Sequence, residues 1–153
     1  MPASPPRTAQ PAPGGARPGG TPADLAAVWA VITDMYAGYT AGDRERIDSH
    51  LEPDATIWDS ATPELLCGKT DLDRVRDNRP TAGGGPAETG LTPYGQVIDV
   101  FGELAVARYW LRVDLPTALP ELARNTAVLR RARYDGHWLL VHLHEDVQSA
   151  PDA

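Results

Sequence analysis

A chain of 153 residues is long enough for one domain and short for two. Its formal net charge of −7 argues against a nucleic-acid-binding protein, which would carry a basic surface. The single cysteine, Cys67, excludes an internal disulfide and fits a reducing compartment, and no apolar run reaches the length of a membrane helix or a signal peptide. We therefore predict a cytoplasmic globular protein that binds neither nucleic acid nor membranes.

Composition divides the chain into three parts. Residues 1–20 consist mostly of Pro, Ala and Gly, and such a segment cannot bury enough apolar surface to offset its ordering entropy. We predict a disordered tail over residues 1–20, one folded domain over residues 21–148, and a second disordered tail over residues 149–153.

The first predicted helix starts with Thr21 as its N-cap, Pro22 at its first position and Asp24 at its third. Apolar residues then recur at spacings of three and four until Gly42, and they are Leu25, Val28, Trp29, Ile32, Met35, Tyr36 and Tyr39. Core packing is the ordinary role of such a stripe, but the hydroxyl of Tyr36 could also contact a ligand.

Shorter elements follow the first helix. In chain order we predict a helix over Arg44–Leu51, a turn at Pro53-Asp54, a strand over Ala55–Asp59, a loop over Ser60–Gly68, and a helix from Lys69 that Pro80 stops. Residues 81–90 include three consecutive glycines, and a loop of this kind often lies beside a binding site.

Long strands fill the remainder of the chain. We predict strands over Tyr94–Phe101, Leu104–Asp114 and Arg124–Tyr134, and an Asp135-Gly136 turn that leads to a last strand from Trp138 to Asp146. Helices followed by an antiparallel meander favour an α+β fold, with the helices on one face of a curved sheet.

The last strand alternates between two kinds of side chain. Strict alternation places Trp138, His142 and His144 on one face, together with Leu140 and Asp146. Proteins seldom leave tryptophan exposed, so we interpret this face as the wall of a partly closed pocket.

Three segments carry a resemblance to a known family, namely "PDATIWDSATPELLCGKTDL", "FGELAVARYWLRVDL" and "DGHWLLVHLH". Together with the order of elements over residues 23–146, they resemble the SnoaL-like branch of the nuclear transport factor 2-like (NTF2-like) superfamily. They are most similar to the association domain of calcium/calmodulin-dependent protein kinase II (CaMKII), which ends in a Gly-x-Trp strand with two alternate histidines.

The resemblance implies a cone-like, curved antiparallel sheet with the N-terminal helices packed on its concave face, enclosing a pocket. It also implies a homodimer that forms through the outer face of the sheet. The superfamily includes polyketide cyclases, ketosteroid-isomerase-like enzymes, dehydratases and non-catalytic assembly domains, so the fold does not by itself settle the function.

The resemblance also implies site residues. It places Arg112, Asp59, His142 and His144 at pocket positions, and alternation adds Arg108 and Trp110 to the face of Arg112. The full set of candidates is Asp59, His142 and His144 for catalysis, and Trp58, Tyr94, Arg108, Trp110, Arg112 and Tyr36 for substrate binding.

Acid–base catalysis is the chemistry that these residues favour. His142 or His144, with Asp59, would move protons on a carbonyl or epoxide substrate, while Arg112 and Tyr94 stabilise the oxyanion. We predict no metal and no cofactor. Two structural alternatives stay open: a buried Asp59–Arg112 ion pair, and a pocket wall in which the histidines only form hydrogen bonds.

Two classes of function follow. The first is a cofactor-free cyclase, isomerase or dehydratase that acts on a hydrophobic oxygenated metabolite, and the Ala/Arg/Gly/Pro-rich composition associates it with bacterial secondary metabolism. The second is a ligand-binding or oligomerisation module without chemistry. His142→Ala or Asp59→Asn would abolish turnover in an enzyme, whereas a binding module would lose only ligand affinity.

Overall fold

The computed structural model describes residues 19–60, 62–78 and 88–148. The elements, in chain order, are α1 (Pro22–Thr40), α2 (Arg44–Asp48), β1 (Leu51–Trp58), β2 (Leu66–Cys67), α3 (Gly68–Asn78), β3 (Gly90–Phe101), β4 (Leu104–Asp114), β5 (Glu121–Arg131) and β6 (Trp138–Gln148). Most of the glycine-rich loop, the helix stop at Pro80 and nearly all of both predicted tails lie outside the described residues.

The six strands form one curved, unclosed sheet in the order β2-β1-β6-β5-β4-β3. Strands β3 to β6 are an antiparallel meander, as predicted, but β1 runs parallel to β6. A parallel pair needs a long connection, and β2, α3 and the meander supply it. The α+β class with helices on one face of the sheet is confirmed, whereas the prediction of a purely antiparallel sheet is wrong.

Three strands, β1, β3 and β5, begin earlier than predicted, and the first two of them contain a proline. Pro53 lies in β1 where the register against β6 shifts, between Leu51 and Thr56. Pro93 lies in β3, which is an edge strand. Bulges and edges are the positions where a sheet tolerates a residue without a backbone N–H, so a turn at Pro53 was the wrong prediction. The short β2 likewise lies within the predicted loop.

The start of α1 matches the sequence signal closely. Thr21 Oγ1 accepts a hydrogen bond of 3.1 Å from the backbone N–H of Asp24, and Asp24 Oδ2 accepts one of 3.2 Å from the backbone N–H of Thr21. This reciprocal pair is a capping box, and it satisfies amide groups that the first helical turn leaves unpaired. Gly42 follows the helix with a φ of 68°, which glycine adopts at little steric cost.

Helix α1 packs on one surface of the sheet, which we call the helix-side face. Val28 and Ile32 of α1 are fully buried there and belong to the same core cluster as Ala105 and Ala107 of β4. The buried residues that β4 and β5 contribute to this face are Ala105, Ala107, Tyr109, Leu111, Val113, Ala123, Asn125, Ala127 and Leu129. The side chains that alternate with them form the outer face of the sheet.

A bulge in β6 changes the face that its side chains occupy. Leu140 pairs with Leu129 and His142 pairs with Val128, so Val141 has no partner across the strand pair. An unpaired residue shifts the alternation by one position. Trp138 and Leu140 therefore lie on the helix-side face and are buried, whereas His142, His144 and Asp146 lie on the outer face. The prediction that all five share one face is wrong.

Among the described helices, none combines the length and the apolar character that crossing a membrane requires.

Candidate active site

Four polar side chains lie next to one another on the helix-side face. Tyr109 of β4 pairs across the strands with Asn125 of β5, and Asn125 pairs with Glu145 of β6. Tyr36 joins them from α1, because its hydroxyl lies 2.7 Å from the hydroxyl of Tyr109. We call Tyr36, Tyr109, Asn125 and Glu145 the polar row.

Aromatic packing holds the two tyrosines in place. The ring of Trp29 meets the ring of Tyr109 edge-on, with their centroids 5.6 Å apart, and the Tyr36 and Tyr109 rings meet at 6.1 Å. Both tyrosines are buried. A buried hydroxyl needs a hydrogen-bond partner, and each tyrosine supplies one to the other.

The surroundings keep both phenols protonated. Burial raises the pKa of Tyr36 well above its ordinary value, and the neighbouring Tyr109 and the negative charge of Glu145 add to this effect. Burial also raises the pKa of Tyr109; the hydrogen bond from Tyr36 opposes the shift, and the charge of Glu145 supports it. The two hydroxyls are therefore hydrogen-bond donors at neutral pH.

Asn125 is 3% exposed and its amide group is only partly satisfied. Its Nδ2 donates to the backbone oxygen of Ala123 at 3.4 Å, while its Oδ1 accepts no hydrogen bond from the part of the chain that the structure describes. A buried acceptor without a partner costs about 1–3 kcal/mol.

Glu145 carries the carboxylate of the polar row. The hydroxyl of Ser60 donates to Glu145 Oε1 at 2.9 Å, and the charge of Glu145 acts on both tyrosines. Asp59 directly follows β1 and precedes Ser60, so it lies in the loop beside this carboxylate. Of the predicted candidates, Tyr36 and Asp59 are thus the two that the fold brings to the polar row or next to it.

The two histidines lie on the other surface, with Trp58. Thr56 Oγ1 and His142 Nδ1 are 2.8 Å apart, and the ring of Trp58 meets the rings of His142 and His144 edge-on at 6.1 and 5.6 Å. His144 and Trp58 are exposed. The prediction that these residues line an enclosed pocket with Trp138 is wrong, because the β6 bulge separates them.

The β3–β4 candidates also lie on the outer face. Arg108 donates to the buried carboxylate of Asp99 at 2.7 Å, and Arg112 Nε donates to Asp114 Oδ1 at 3.0 Å. Alternation places Trp110 with them, on the face opposite Tyr109. The predicted pocket orientation of these three residues is therefore wrong: α1 packs against the other side of β4.

Tyr94 lies opposite Trp110 on the same outer face. Burial raises the pKa of its hydroxyl, and the positive charge of the nearby Arg112 opposes the shift. Tyr94 and Arg112 thus lie near each other on the outer face, away from the polar row.

Described residues line the two hollows considered next. A shallow depression of about 270 Å³ lies between α1 and β3. Its lining includes Trp29, whose ring also contacts the ring of Tyr109. A second cavity of about 160 Å³ lies between β1, α2 and α3 and is lined mainly by apolar side chains. Neither contains a set of metal ligands, since no group of three His, Cys, Asp or Glu side chains converges among the described residues.

Solved structures show which fold this is. The CaMKII hub homology domain of Chlamydomonas reinhardtii is 22% identical, with a TM-score of 0.66 over 82% of this chain and 99% of that one. The CaMKII hub of S. rosetta is 20% identical, with a TM-score of 0.68 over 90% and 100%.

The chain has the NTF2-like fold.

A candidate ketosteroid isomerase from Shewanella frigidimarina shares this NTF2-like fold at 17% identity, with a TM-score of 0.64 over 78% of this chain and 94% of that one. No family model matches the chain, and no curated protein sequence does. The resemblance to the NTF2-like superfamily is confirmed at the level of the fold, and the SnoaL-like branch stays a prediction.

Proposed function

We propose that this NTF2-like protein is a cofactor-free acid–base enzyme that isomerises a hydrophobic carbonyl compound. The hydrogen-bonded hydroxyls of Tyr36 and Tyr109, buried beside Glu145, are the observation that carries the proposal. Neutral donors aimed at a developing oxyanion in a site of low dielectric make one of the largest contributions to enzymatic rate. The fold shared with a candidate ketosteroid isomerase is consistent with this chemistry, but only as an analogy.

The tyrosine pair provides one free donor. Two hydroxyls carry two protons, and one proton lies between the two oxygens, so the other can be donated to a substrate carbonyl oxygen. As the carbonyl becomes an enolate, that hydrogen bond becomes charge-assisted and strengthens, and stabilisation that grows towards the transition state is what accelerates a reaction.

Glu145 is the base in this proposal. It removes a proton from the carbon next to the carbonyl, and the bonding electrons pass to the carbonyl oxygen. The same carboxyl group returns the proton to the far end of the conjugated system, and a β,γ-enone becomes its α,β-isomer. Ser60 Oγ donates to one oxygen of this carboxylate at 2.9 Å, which orients the Glu145 side chain. Asp59 is the second candidate base, because it precedes Ser60.

The experiment measures conversion of a hydrophobic β,γ-unsaturated ketone by the absorbance of the conjugated product. We expect Tyr109→Phe to lower turnover about 10²–10³-fold, and Glu145→Gln to lower it about 10²–10⁴-fold. Tyr134→Phe and Glu121→Gln are matched controls at exposed positions, and they should have wild-type turnover. Asp59→Asn tests the second base. Equal turnover in all five proteins and the wild type would refute the proposal.

The outer face supports a second function, which is self-association. Large apolar side chains are exposed there or at its rim: Trp58, Phe101 and Leu104 are 45%, 50% and 44% exposed. Exposed apolar patches mark interaction surfaces. We infer a homodimer through this face, which the resemblance also implies. As a non-catalytic module, the protein would form that dimer without converting any carbonyl substrate.

The biological setting stays a proposal as well. An exposed free thiol at Cys67 is consistent with a reducing compartment, and we propose a cytoplasmic enzyme of secondary metabolism.

A further inference from the structure

Asn125 extends the proposed site to a second recognition element. We infer that the enzyme selects carbonyl substrates that also carry a hydroxyl or N–H hydrogen, and that Asn125 Oδ1 accepts that hydrogen. This inference rests on the proposed function, because it assigns the substrate class of the same polar row.

The orientation of the amide is determined by the backbone. Nδ2 lies 3.4 Å from the backbone oxygen of Ala123. Turning the amide over would place Oδ1 against that carbonyl oxygen, and two acceptors repel each other. The oxygen therefore faces away from Ala123, and it is this oxygen that accepts no hydrogen bond from the described residues.

The neighbours of Asn125 do not provide the missing donor. Glu145, its partner on β6, has only acceptors when it is ionised. The hydroxyl of Tyr109, its partner on β4, is hydrogen-bonded to Tyr36 and makes no hydrogen bond to Asn125 Oδ1. Two acceptors, Asn125 Oδ1 and the Glu145 carboxylate, thus lie on neighbouring strands where side chains are about 5 Å apart. A substrate hydroxyl or N–H group is complementary to this arrangement.

The strand itself does not require a polar residue at position 125. Its buried neighbours on the same face of β5 are Ala123, Ala127 and Leu129, which are all apolar. An apolar side chain would satisfy the packing without leaving an unpaired acceptor, so we expect Asn125→Leu to raise the denaturation midpoint. A residue that lowers stability in the free protein and improves substrate binding is common in active sites.

The experiment compares the binding of matched bicyclic phenols, whose phenolate mimics the enolate. 2-Naphthol reports on the tyrosine pair alone. A series of dihydroxynaphthalenes keeps the 2-hydroxyl and carries a second hydroxyl, which is a donor, at a different ring position in each compound. In the matching methyl ethers this second hydroxyl is methylated, so it has a similar size but can only accept a hydrogen bond. In the wild type we expect at least one diol to bind about tenfold more tightly than both 2-naphthol and its own methyl ether.

Asn125→Leu should remove this preference, so that the diol, its methyl ether and 2-naphthol bind this variant with similar affinities. Asn125→Ser, which keeps a small acceptor if the leucine variant folds poorly, should retain part of it. Thr126→Val, one residue away on the outer face, is the matched control and should retain all of it. If the wild type binds the diols and their methyl ethers equally, an ordered water satisfies Asn125 and the inference is wrong. The proposed function survives that result if 2-naphthol binding still depends on Tyr109. If no naphthol binds the wild type, both are wrong.

Discussion

The hydrogen bond between Tyr36 and Tyr109 can be tested by a double-mutant cycle. Each single change to phenylalanine leaves the other hydroxyl buried with its partner gone, and an unsatisfied buried hydroxyl costs about 1–3 kcal/mol. The double variant removes both hydroxyls and leaves only apolar rings in contact. We therefore expect the double variant to lose clearly less stability than the sum of the two single variants, with a coupling free energy of about 1–2 kcal/mol.

Chemical denaturation of the four proteins provides the assay. A loss of 1 kcal/mol should also lower the midpoint of thermal unfolding by about 4 °C in a domain of this size. Turnover of the enone substrate is measured on the same proteins, and both single variants and the double variant should be impaired to a similar degree, because the hydroxyls act as a unit. Two results together would refute the claim that the pair acts as one donor. They are a loss of stability in the double variant equal to the sum of the two single losses, and a turnover in the double variant well below that of either single variant.

Three further predictions concern the rest of the fold. Hydrogen bonds from Arg46 and His50 hold the pKa of Asp34 below its ordinary range, so the stability that these bonds contribute is present above that range and disappears as the pH falls through the folded-state pKa. The difference in unfolding free energy between the wild type and Asp34→Asn should therefore become smaller from about pH 7 to pH 2, and a constant difference would contradict this. Deletion of Val141 should cost less than about 3 kcal/mol in a urea titration, because Leu140 and His142 then lie opposite the adjacent residues Leu129 and Val128 and the rest of β6 keeps its faces; unfolding of the variant would mean that Val141 is not the extra residue of the bulge. Trp58→Glu should shift the protein towards monomer in analytical ultracentrifugation while preserving turnover, and an unchanged sedimentation profile would exclude this part of the outer face from the dimer.

Local sequence signals predicted much of the fold. The capping box at Thr21 determines the start of α1, and regular alternation in β4 separates Tyr109 from Arg108 and Arg112. These signals depend on neighbours in the chain, which a single sequence displays. The parallel pairing of β1 with β6 depends on contacts between distant segments, and no local pattern encodes it.

The site was harder to predict, for two physical reasons. Alternation shows that Tyr109 and Arg112 lie on opposite faces, but not which face α1 covers, and the charged face of β4 was assigned to the interior. The bulge at Val141 has no glycine or proline to signal it, so strict alternation placed His142 on the same face as Trp138. Asn125 could have been noticed as the one polar residue in its alternating apolar series on β5, between Ala123 and Ala127.

The location of a bound ligand tests most directly whether the chemistry belongs to the helix-side face. Titration of isotopically labelled protein with 2-naphthol can be followed by NMR through the side-chain amide of Asn125 and the imidazoles of His142 and His144, which lie on opposite faces of the sheet. We predict that the Asn125 amide signals shift with ligand concentration and that both imidazole signals stay in place. Shifts in the imidazole signals with a silent Asn125 amide would place the ligand on the outer face and contradict the account.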